Sequence, residues 1–489
     1  MIDSMAKFSI ENFGCRATDA DASALCKGLV AQGLTPVRKH ASADVVVLNT
    51  CTVTAAADSQ AREAVRKIHR LNPAAKIVLT GCYAQRAPEE LSQLDGVAWV
   101  IGNSHQSEIP RLLRGQFSDD SRLGSRSTEL FPLAHLSDGW MSLARGPAKI
   151  LTGDIFAQTP RIEMQAGMGV PAEDDRTRPI LKIQDGCNNR CSYCVIPFVR
   201  GRSRSLPPDS VVEQVRVLTA AGAREVVLSG INLGAYGRDL SPGANLASVV
   251  RRILVETALE QLRFSSIEPQ DVTEDFISLA ASSDRIAPHF HIPLQSGSDA
   301  ILRAMHRWYR AAHYAERVRL IRRSLPNAAI GADVIVGFPG ETDDEFQATM
   351  ELIERLPFTY LHVFSFSERP GTEAEKLGQP VPHNVIRERA RRLRSLSLAK
   401  SAAFRASQSG RSMRALSLAR TGEAPDGAWT EALTGNYLKV RIAGQLPANR
   451  WYEVSVTQDA SVATSGASSS VLLGRSQSPV AGAAAEFDT

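Results

Sequence analysis

Three cysteines stand within eight consecutive positions, Cys187, Cys191 and Cys194, in the run Gly186-Cys187-Asn188-Asn189-Arg190-Cys191-Ser192-Tyr193-Cys194. Thiolates at this density suit soft-metal ligation, because sulfur ligands select iron–sulfur clusters, zinc or copper(I). No fourth Cys or His follows at ligand distance, which argues against a closed structural zinc site. Three thiolates on a cubane cluster would leave one iron with an open coordination position, where a small ligand could bind and react. The alternative is three incidental buried cysteines. The tight spacing behind Lys182-Ile183-Gln184-Asp185-Gly186 weighs against it.

Three further cysteines follow predicted strands. Residues 8–12 read as a short strand running into Gly14-Cys15, residues 43–49 (ADVVVLN) as a buried parallel strand before Thr50-Cys51-Thr52, and residues 75–80 (AKIVLT) as another before Gly81-Cys82. Helical patterns lie between them at 21–32 and 58–70, the second ended by Asn72-Pro73, and 97–101 reads as one more strand. In open α/β sheets ligands collect beyond the carboxyl ends of strands. Cys15, Cys51 and Cys82 could therefore converge on a second three-thiolate cluster. The competing reading is isolated structural cysteines in strand–loop turns. Cys26, inside a helical pattern, reads as a small core residue.

From about 116 to 177 the pattern dissolves into Ser, Asp, Arg, Gly and Pro with short apolar patches such as 148–155, which reads as a linker with one connecting strand at most. After the cysteine run, strand and helix patterns alternate, as expected for a parallel barrel or partial barrel. Its strands run into Ser229-Gly230, Glu268-Pro269, Gln295-Ser296-Gly297 and Gly337-Phe338-Pro339-Gly340-Glu341. Reacting groups in such barrels sit on these carboxyl-end loops. Tyr193, Ser229, Gly230, Gln295, Ser296 and Gly337 thus become candidates for contact with a nucleoside-bearing cofactor. Glu268 and Asp333 could bond ribose hydroxyls or an ammonium group, or be surface or capping residues. Residues 383–404 form a basic helix, and short alternating strands from 412 suggest a small antiparallel barrel. There, cations are interleaved with Tyr437, Trp451 and Tyr452: an RNA surface, or a solvated basic face over core aromatics.

Composition sets outer bounds. The chain has 489 residues, 43% hydrophobic and 22% charged, with a formal net charge of +4, ordinary for a soluble multidomain protein and too weakly basic to prove nucleic-acid binding. Seven cysteines with a tight triplet do not make a secreted disulfide framework. No signal-peptide core begins the chain and no apolar run reaches membrane-span length. These features predict the reducing cytosol, where thiolate-bound clusters survive.

Taken together, the motifs resemble the radical S-adenosylmethionine (SAM) methylthiotransferases over nearly everything from Phe8 to about Gln458. They are Asn49-Thr50-Cys51-Thr52-Val53-Thr54, Gly81-Cys82-Tyr83-Ala84-Gln85, Lys182 to Cys194, Arg200-Gly201-Arg202-Ser203-Arg204-Ser205, Leu294-Gln295-Ser296-Gly297 and Gly337-Phe338-Pro339-Gly340-Glu341. The first two, with Gly230-Ile231-Asn232-Leu233-Gly234-Ala235-Tyr236-Gly237, resemble the branch that methylthiolates carbon 2 of N6-threonylcarbamoyladenosine beside the tRNA anticodon. One departure is visible: the family's Gly-Cys-Lys-x-Asn is here Gly14-Cys15-Arg16-Ala17-Thr18.

The resemblance implies an α/β protein: an N-terminal cluster-binding domain (1–115), a linker (116–177), a radical-SAM partial barrel (178–403), a TRAM-like RNA-binding barrel (404–461) and a disordered tail (462–489). It implies two [4Fe-4S] clusters and SAM. One cluster, on Cys187, Cys191 and Cys194, would bind SAM through the open iron and inject an electron, giving a 5′-deoxyadenosyl radical that activates carbon 2. The other, on Cys15, Cys51 and Cys82, would supply or carry the sulfur, and a further SAM the methyl group. Partners would be the tRNA anticodon stem-loop, a low-potential electron donor and a sulfur source, with the enzyme a monomer. Rival readings are a sister enzyme acting on N6-isopentenyladenosine, another acting on a ribosomal-protein aspartate, and a non-catalytic iron–sulfur RNA-binding redox sensor.

Overall fold

A computed structural model describes residues 6–117, 141–143, 148–157, 162, 177–425, 427–458 and 472–479. The first sheet contains β1 (Lys7–Asn12), β2 (Thr35–Pro36), β3 (Val45–Thr50), β4 (Lys76–Gly81), β5 (Val97–Gly102), β6 (Met141–Leu143) and β7 (Lys149–Leu151). Their order is β2-β1-β3-β4-β5-β7-β6, parallel throughout except for β6 against β7. The run Val45-Val46-Val47-Leu48 is apolar at every position because both faces are covered: Val46 and Leu48 enter one core, Val45 and Val47 the other. Within the expected linker, the apolar patch at 148–155 supplies a strand, Lys149–Leu151, which extends this sheet with Ala148 and Ile150 in its core.

The central sheet is formed by β8 (Ile180–Asp185), β9 (Arg204–Ser205), β10 (Glu225–Gly230), β11 (Gln261–Phe264), β12 (His289–His291), β13 (Ala329–Val336) and β14 (Tyr360–Ser365). Two parallel ladders, β8-β10-β11 and β12-β13-β14, are joined by single bridges at Leu262–Ile286 and Ser266–His291. The result is a partial barrel open between β8 and β14. Strand alternation divides its residues by face. Leu181, Ile183, Leu262, Phe264, Phe290, Ile330, Val334, Leu361 and Val363 pack outward into the main core with the helices. Lys182, Gln184, Arg263, His289, His291, Asp333, Tyr360 and His362 alternate with them and face the lumen. That interior is polar.

The 26-residue helix His383–Gln408 leads into β15 (Ser412–Ala424), β16 (Gly427–Thr434), β17 (Lys439–Ala443), β18 (Trp451–Gln458) and β19 (Leu472–Pro479). They close a barrel in the order β15-β16-β17-β19-β18, antiparallel except for β17 with β19. The barrel therefore extends past residue 461, where the sequence reading ended it. The segment placed in a disordered tail supplies its fifth strand, because the edges of β17 and β18 would otherwise stay unpaired. The rest of that tail lies outside the described residues, as does most of the expected linker. Trp451 and Tyr452 are buried in this barrel rather than displayed. No helix among the described residues is long and apolar enough to cross a membrane.

Candidate active site

The cysteine run leaves β8 through Gly186, whose φ of +69° is the left-handed conformation that glycine adopts without penalty. A side chain there would also strike the Arg202 carbonyl. Gln184 ties the turn down, donating to the Gly186 carbonyl (2.8 Å) and to Ser203 Oγ (2.9 Å) while accepting from the Asn232 amide (2.8 Å). The loop is pinned from the other side as well: Ser192 Oγ donates to the Ala304 carbonyl (2.7 Å), and the Ala374 amide donates to the Ser192 carbonyl (2.8 Å). Each of two sulfurs has a clear donor: the Asn189 amide to Cys187 Sγ at 3.4 Å, and Arg307 Nη1 to Cys191 Sγ at 3.3 Å. Hydrogen bonds of this kind to sulfur set cluster potentials. Burial pushes the Cys194 thiol up to about 12.

The second trio is assembled by topology. Cys15 caps the helix Arg16–Ala31 after β1, Cys51 follows β3, and Cys82 opens the helix Cys82–Arg86 after β4. Since β1, β3 and β4 are adjacent and parallel, all three ends open on one edge of the sheet. A Cβ on Gly14 would lie 2.8 Å from Cys51 Cβ and 3.3 Å from its Sγ, so the Cys15 turn rests directly on Cys51. Burial first, then the nearby Cys82 and Cys15, push the Cys51 thiol up to about 12. Cys26 is buried in a separate apolar core, as its helical pattern suggested.

Arg200 ties the second trio to the barrel. It lies six residues past Cys194, is buried, and donates from Nε to Cys82 Sγ at 3.2 Å. Its Nη atoms meet Asp185 Oδ1 (3.1 Å) and Asp21 Oδ2 (2.8 Å), and Lys182 pairs with the same two carboxylates. Asp21 belongs to the N-terminal domain; Lys182, Asp185 and Arg200 belong to the barrel. Asn103, which donates to Cys82 Sγ (3.5 Å) and the Val199 carbonyl (2.8 Å), makes a second link.

At the other strand ends the candidates separate. Glu268 pairs with Arg307 and so stands one residue away from Cys191; burial raises its carboxyl despite that arginine. Gln295 has a φ of +64° and pairs its backbone with Asp333 and Val334. Asp333 lies deeper, on the lumenal face of β13, with Oδ1 3.2 Å from both His291 Nε2 and His362 Nδ1. Gly230 abuts Gln184, and Ser229 beside it is buried. The side chains of three candidates turn elsewhere. Ser296 is fully buried with Oγ 3.3 Å from Thr349 of an outer helix. Gly337 is held against Ile386. Tyr193 packs on Phe338, with ring centroids 6.4 Å apart. Ser296 and Gly337 shape the strand ends, while Tyr193 stays partly exposed.

The donor sets fit clusters better than single ions. A tetrahedral zinc site brings its sulfurs to roughly 3.8 Å from one another, given metal–sulfur bonds of about 2.3 Å. Among the described residues, the one trio of His, Cys, Asp or Glu ligand atoms all within 4.8 Å is His291, Asp333 and His362. Neither cysteine trio is that compact, so neither is preset for a single ion. Buried polar atoms without a protein partner lie alongside, Asn232 Oδ1 next to Cys187 and Ser265 Oγ at the end of β11. Such orphans mark places where a bound group completes the hydrogen bonding.

Comparison with known proteins agrees. Residues 7–102 match the family described as uncharacterized protein family UPF0004, and residues 181–353 match the radical SAM superfamily. A threonylcarbamoyladenosine tRNA methylthiotransferase, MtaB, of Aquifex aeolicus is 36% identical over 90% of this chain and 97% of its own length. The chain belongs to the radical-SAM methylthiotransferase family. Another MtaB, from Bacillus subtilis, is 35% identical over 80% of each chain. A tRNA-2-methylthio-N(6)-dimethylallyladenosine synthase of Syntrophobacter fumaroxidans is 34% identical over 79% of each. The radical SAM methyltransferase TsrM of Kitasatospora setae shares the fold, with a TM-score of 0.53 over 76% of this chain and 77% of its own at 18% identity. For a methylthiotransferase the sequence reading overlooked Arg200, Arg307 and Asn232. Asn232 and Arg200 stand inside the quoted Gly230–Gly237 and Arg200–Ser205 motifs, which gave them no individual role, and Arg307 had no signal at all.

Proposed function

We propose that this methylthiotransferase adds a methylthio group to carbon 2 of N6-threonylcarbamoyladenosine in tRNA, using two [4Fe-4S] clusters and SAM. The observation carrying the reading is that two cysteine trios occupy strand ends of two sheets, and that Arg200 of the barrel reaches across to Cys82 of the second trio. Cys187, Cys191 and Cys194 would hold the cluster that binds SAM, and Cys15, Cys51 and Cys82 the second. When bound, these groups supply the one-electron cleavage of SAM and the sulfur, chemistry that side chains alone do not have.

The chain's own residues do the positioning. Gln184 and Gly186 fix the first loop. Arg307 directs a cation at Cys191 while holding Glu268, and the orphaned Asn232 Oδ1 and Ser265 Oγ offer acceptors to a cofactor beside Cys187. RNA docking has support near the cysteines in sequence: Val53, two residues past Cys51, Phe198, four past Cys194, and Trp308, next to Arg307, are exposed, and Arg190 lies over Phe198. Apolar and aromatic groups interleaved with cations suit unstacked bases. The substrate assignment draws on the relatives named MtaB, while the dimethylallyladenosine synthases keep the isopentenyl substrate as the second reading.

The direct test is mass spectrometry of tRNA nucleosides from a strain lacking the gene and from its complemented parent. Loss of 2-methylthio-N6-threonylcarbamoyladenosine alone supports the proposal. Loss of the isopentenyl counterpart would keep the reaction and move the substrate.

A further inference from the structure

The lumen below the cysteine run is built for a polar, anionic guest. His291, Asp333 and His362 form one layer, with one nitrogen of each imidazole 3.2 Å from Asp333 Oδ1. An ionised carboxylate only accepts, so His362 Nδ1 is the donor to Asp333, while His291 Nε2 lies within ion-pair distance of the same oxygen but off the hydrogen-bonding direction. His291 Nδ1 is then satisfied by Ser266 Oγ at 2.8 Å. His362 Nε2 has no partner among the described residues, and its side chain is 55% exposed. One step up β14, on the same face, Phe364 is 42% exposed and meets His362 edge-on at 6.5 Å. One step down, Tyr360 lies 5.3 Å from His362.

Arg16 enters this lumen from the N-terminal domain. Its guanidinium donates to the Phe264 carbonyl and to Tyr437 Oη, both at 3.4 Å, two long bonds that leave other N–H groups to offer. Tyr437, which it meets, stacks on His289 at 4.1 Å and lies 6.1 Å from Tyr360, so Arg16 borders the tier beneath His362. Leu294 donates to the Asp333 carbonyl, Tyr309 Oη donates to the Leu294 carbonyl, and Arg307, bonded to Cys191 Sγ, donates to Tyr309 Oη. The layer is therefore continuous with the site of chemistry.

We propose that the lumenal pocket formed by His362, the His291–Asp333 pair and Arg16 receives the threonyl end of the substrate nucleoside, with Phe364 against the base. Arg16 faces the carboxylate, and His362 Nε2 faces the hydroxyl and carbamoyl groups. This rests on the threonylcarbamoyl reading and supplies its specificity: an isopentenyl group would leave these polar groups desolvated and unpaired, a strong basis for rejection.

The test uses the full-length enzyme with both clusters reconstituted. Its probes are two anticodon stem-loops: one carrying N6-threonylcarbamoyladenosine, the other its carboxamide, in which the threonyl carboxylate is neutral. The unaltered enzyme should show a KM about tenfold or more lower for the acid, the scale of a charge-assisted hydrogen bond. His362→Asn and Arg16→Met should each raise KM for the acid by about tenfold with a smaller change in kcat, and Arg16→Met should bring the acid-to-amide ratio near one. Arg16→Lys should restore part of that preference. Iron content, measured alongside, separates this effect from damage at neighbouring Cys15. An unchanged acid-to-amide ratio in both variants would overturn the pocket. So would a divalent ion held by the unaltered protein and lost in Asp333→Asn, which would make the trio a metal site. If the unaltered enzyme modifies neither stem-loop, the substrate reading fails instead.

Discussion

Cys187, Cys191 and Cys194 are neighbours because the chain makes them so, whereas Cys15, Cys51 and Cys82 meet only because β1, β3 and β4 lie side by side. The first trio needs one turn, fixed by Gly186 and Gln184. The second needs a sheet, a tight Gly14 turn and Arg200 reaching across from another domain. A site carried by a loop should tolerate strain elsewhere; one assembled from strand ends should be only as stable as the sheet and interface that gather it. The difference also separates roles: the local trio lies beside the lumen, and the assembled one lies across the interface from it.

The largest effects come from removing a sulfur in each trio. Cys187→Ala should abolish 5′-deoxyadenosine formation from SAM under reducing conditions. Cys51→Ala should end thiolation while SAM is still cleaved, which chromatography of both products would show. Full product from Cys51→Ala would sink the second-cluster assignment.

Arg200→Met comes next. It removes a cation from buried Asp21 and Asp185, and breaking a buried ion network of this kind costs about 3–5 kcal/mol. If the comparison holds, iron bound by the assembled trio is lost first. Equal loss from both trios, read by Mössbauer or EPR spectroscopy, would contradict it.

Gly14→Ala should act in the same direction but more weakly. The residue sits at φ +138° with its Cβ direction 2.8 Å from Cys51 Cβ, so about 1–3 kcal/mol of strain is expected. A melting curve should fall accordingly, while SAM cleavage changes less than thiolation.

The smallest effect at neutral pH concerns the interface charges. Burial alone would raise the Asp185 carboxyl, but Lys182, Arg200 and Arg204 outweigh it and hold it well below the usual range. A depressed carboxyl stabilises the fold above its unfolded value, near 3.9, and loses that contribution as pH falls below it. Docking of the helix Arg16–Ala31 should therefore be steady from pH 7 to about 5 and weaken below about 4. Hydrogen exchange of that helix, corrected for intrinsic rates, would show it; weakening already at pH 6 would point to a different group.

Much of this architecture was legible because burial on both faces leaves an unmistakable trace: 45–48 and 77–79 are apolar at every position, and Cys51 and Cys82 follow the ends of those strands. The compact triplet was legible because its spacing is its geometry. The lumen was harder. His289, His291, Asp333, Tyr360 and His362 are single polar residues in otherwise apolar strands, and only curvature brings them to one wall. Ser296 and Gly337 looked like cofactor contacts because strand-end Gly and Ser residues serve close helix packing equally well. Tyr437, Trp451 and Tyr452 suggested an RNA surface, yet two are barrel core and the third faces the lumen. The strand Leu472–Pro479 was hidden by its Ser- and Ala-rich surroundings, since its pairing is decided by edges far away in sequence.

Tyr437 stacks on His289 at 4.1 Å, and Arg263, itself paired with Glu225, donates to the carbonyls of Thr434 and Gly435. The terminal barrel is thus bolted to the floor of the central one by backbone acceptors and a ring. It behaves as a jig rather than a swinging arm: the span from its outer cations to the cysteines is fixed when the chain folds. A ligand that touched both the barrel's outer cations and the cysteines would have to span that preset distance.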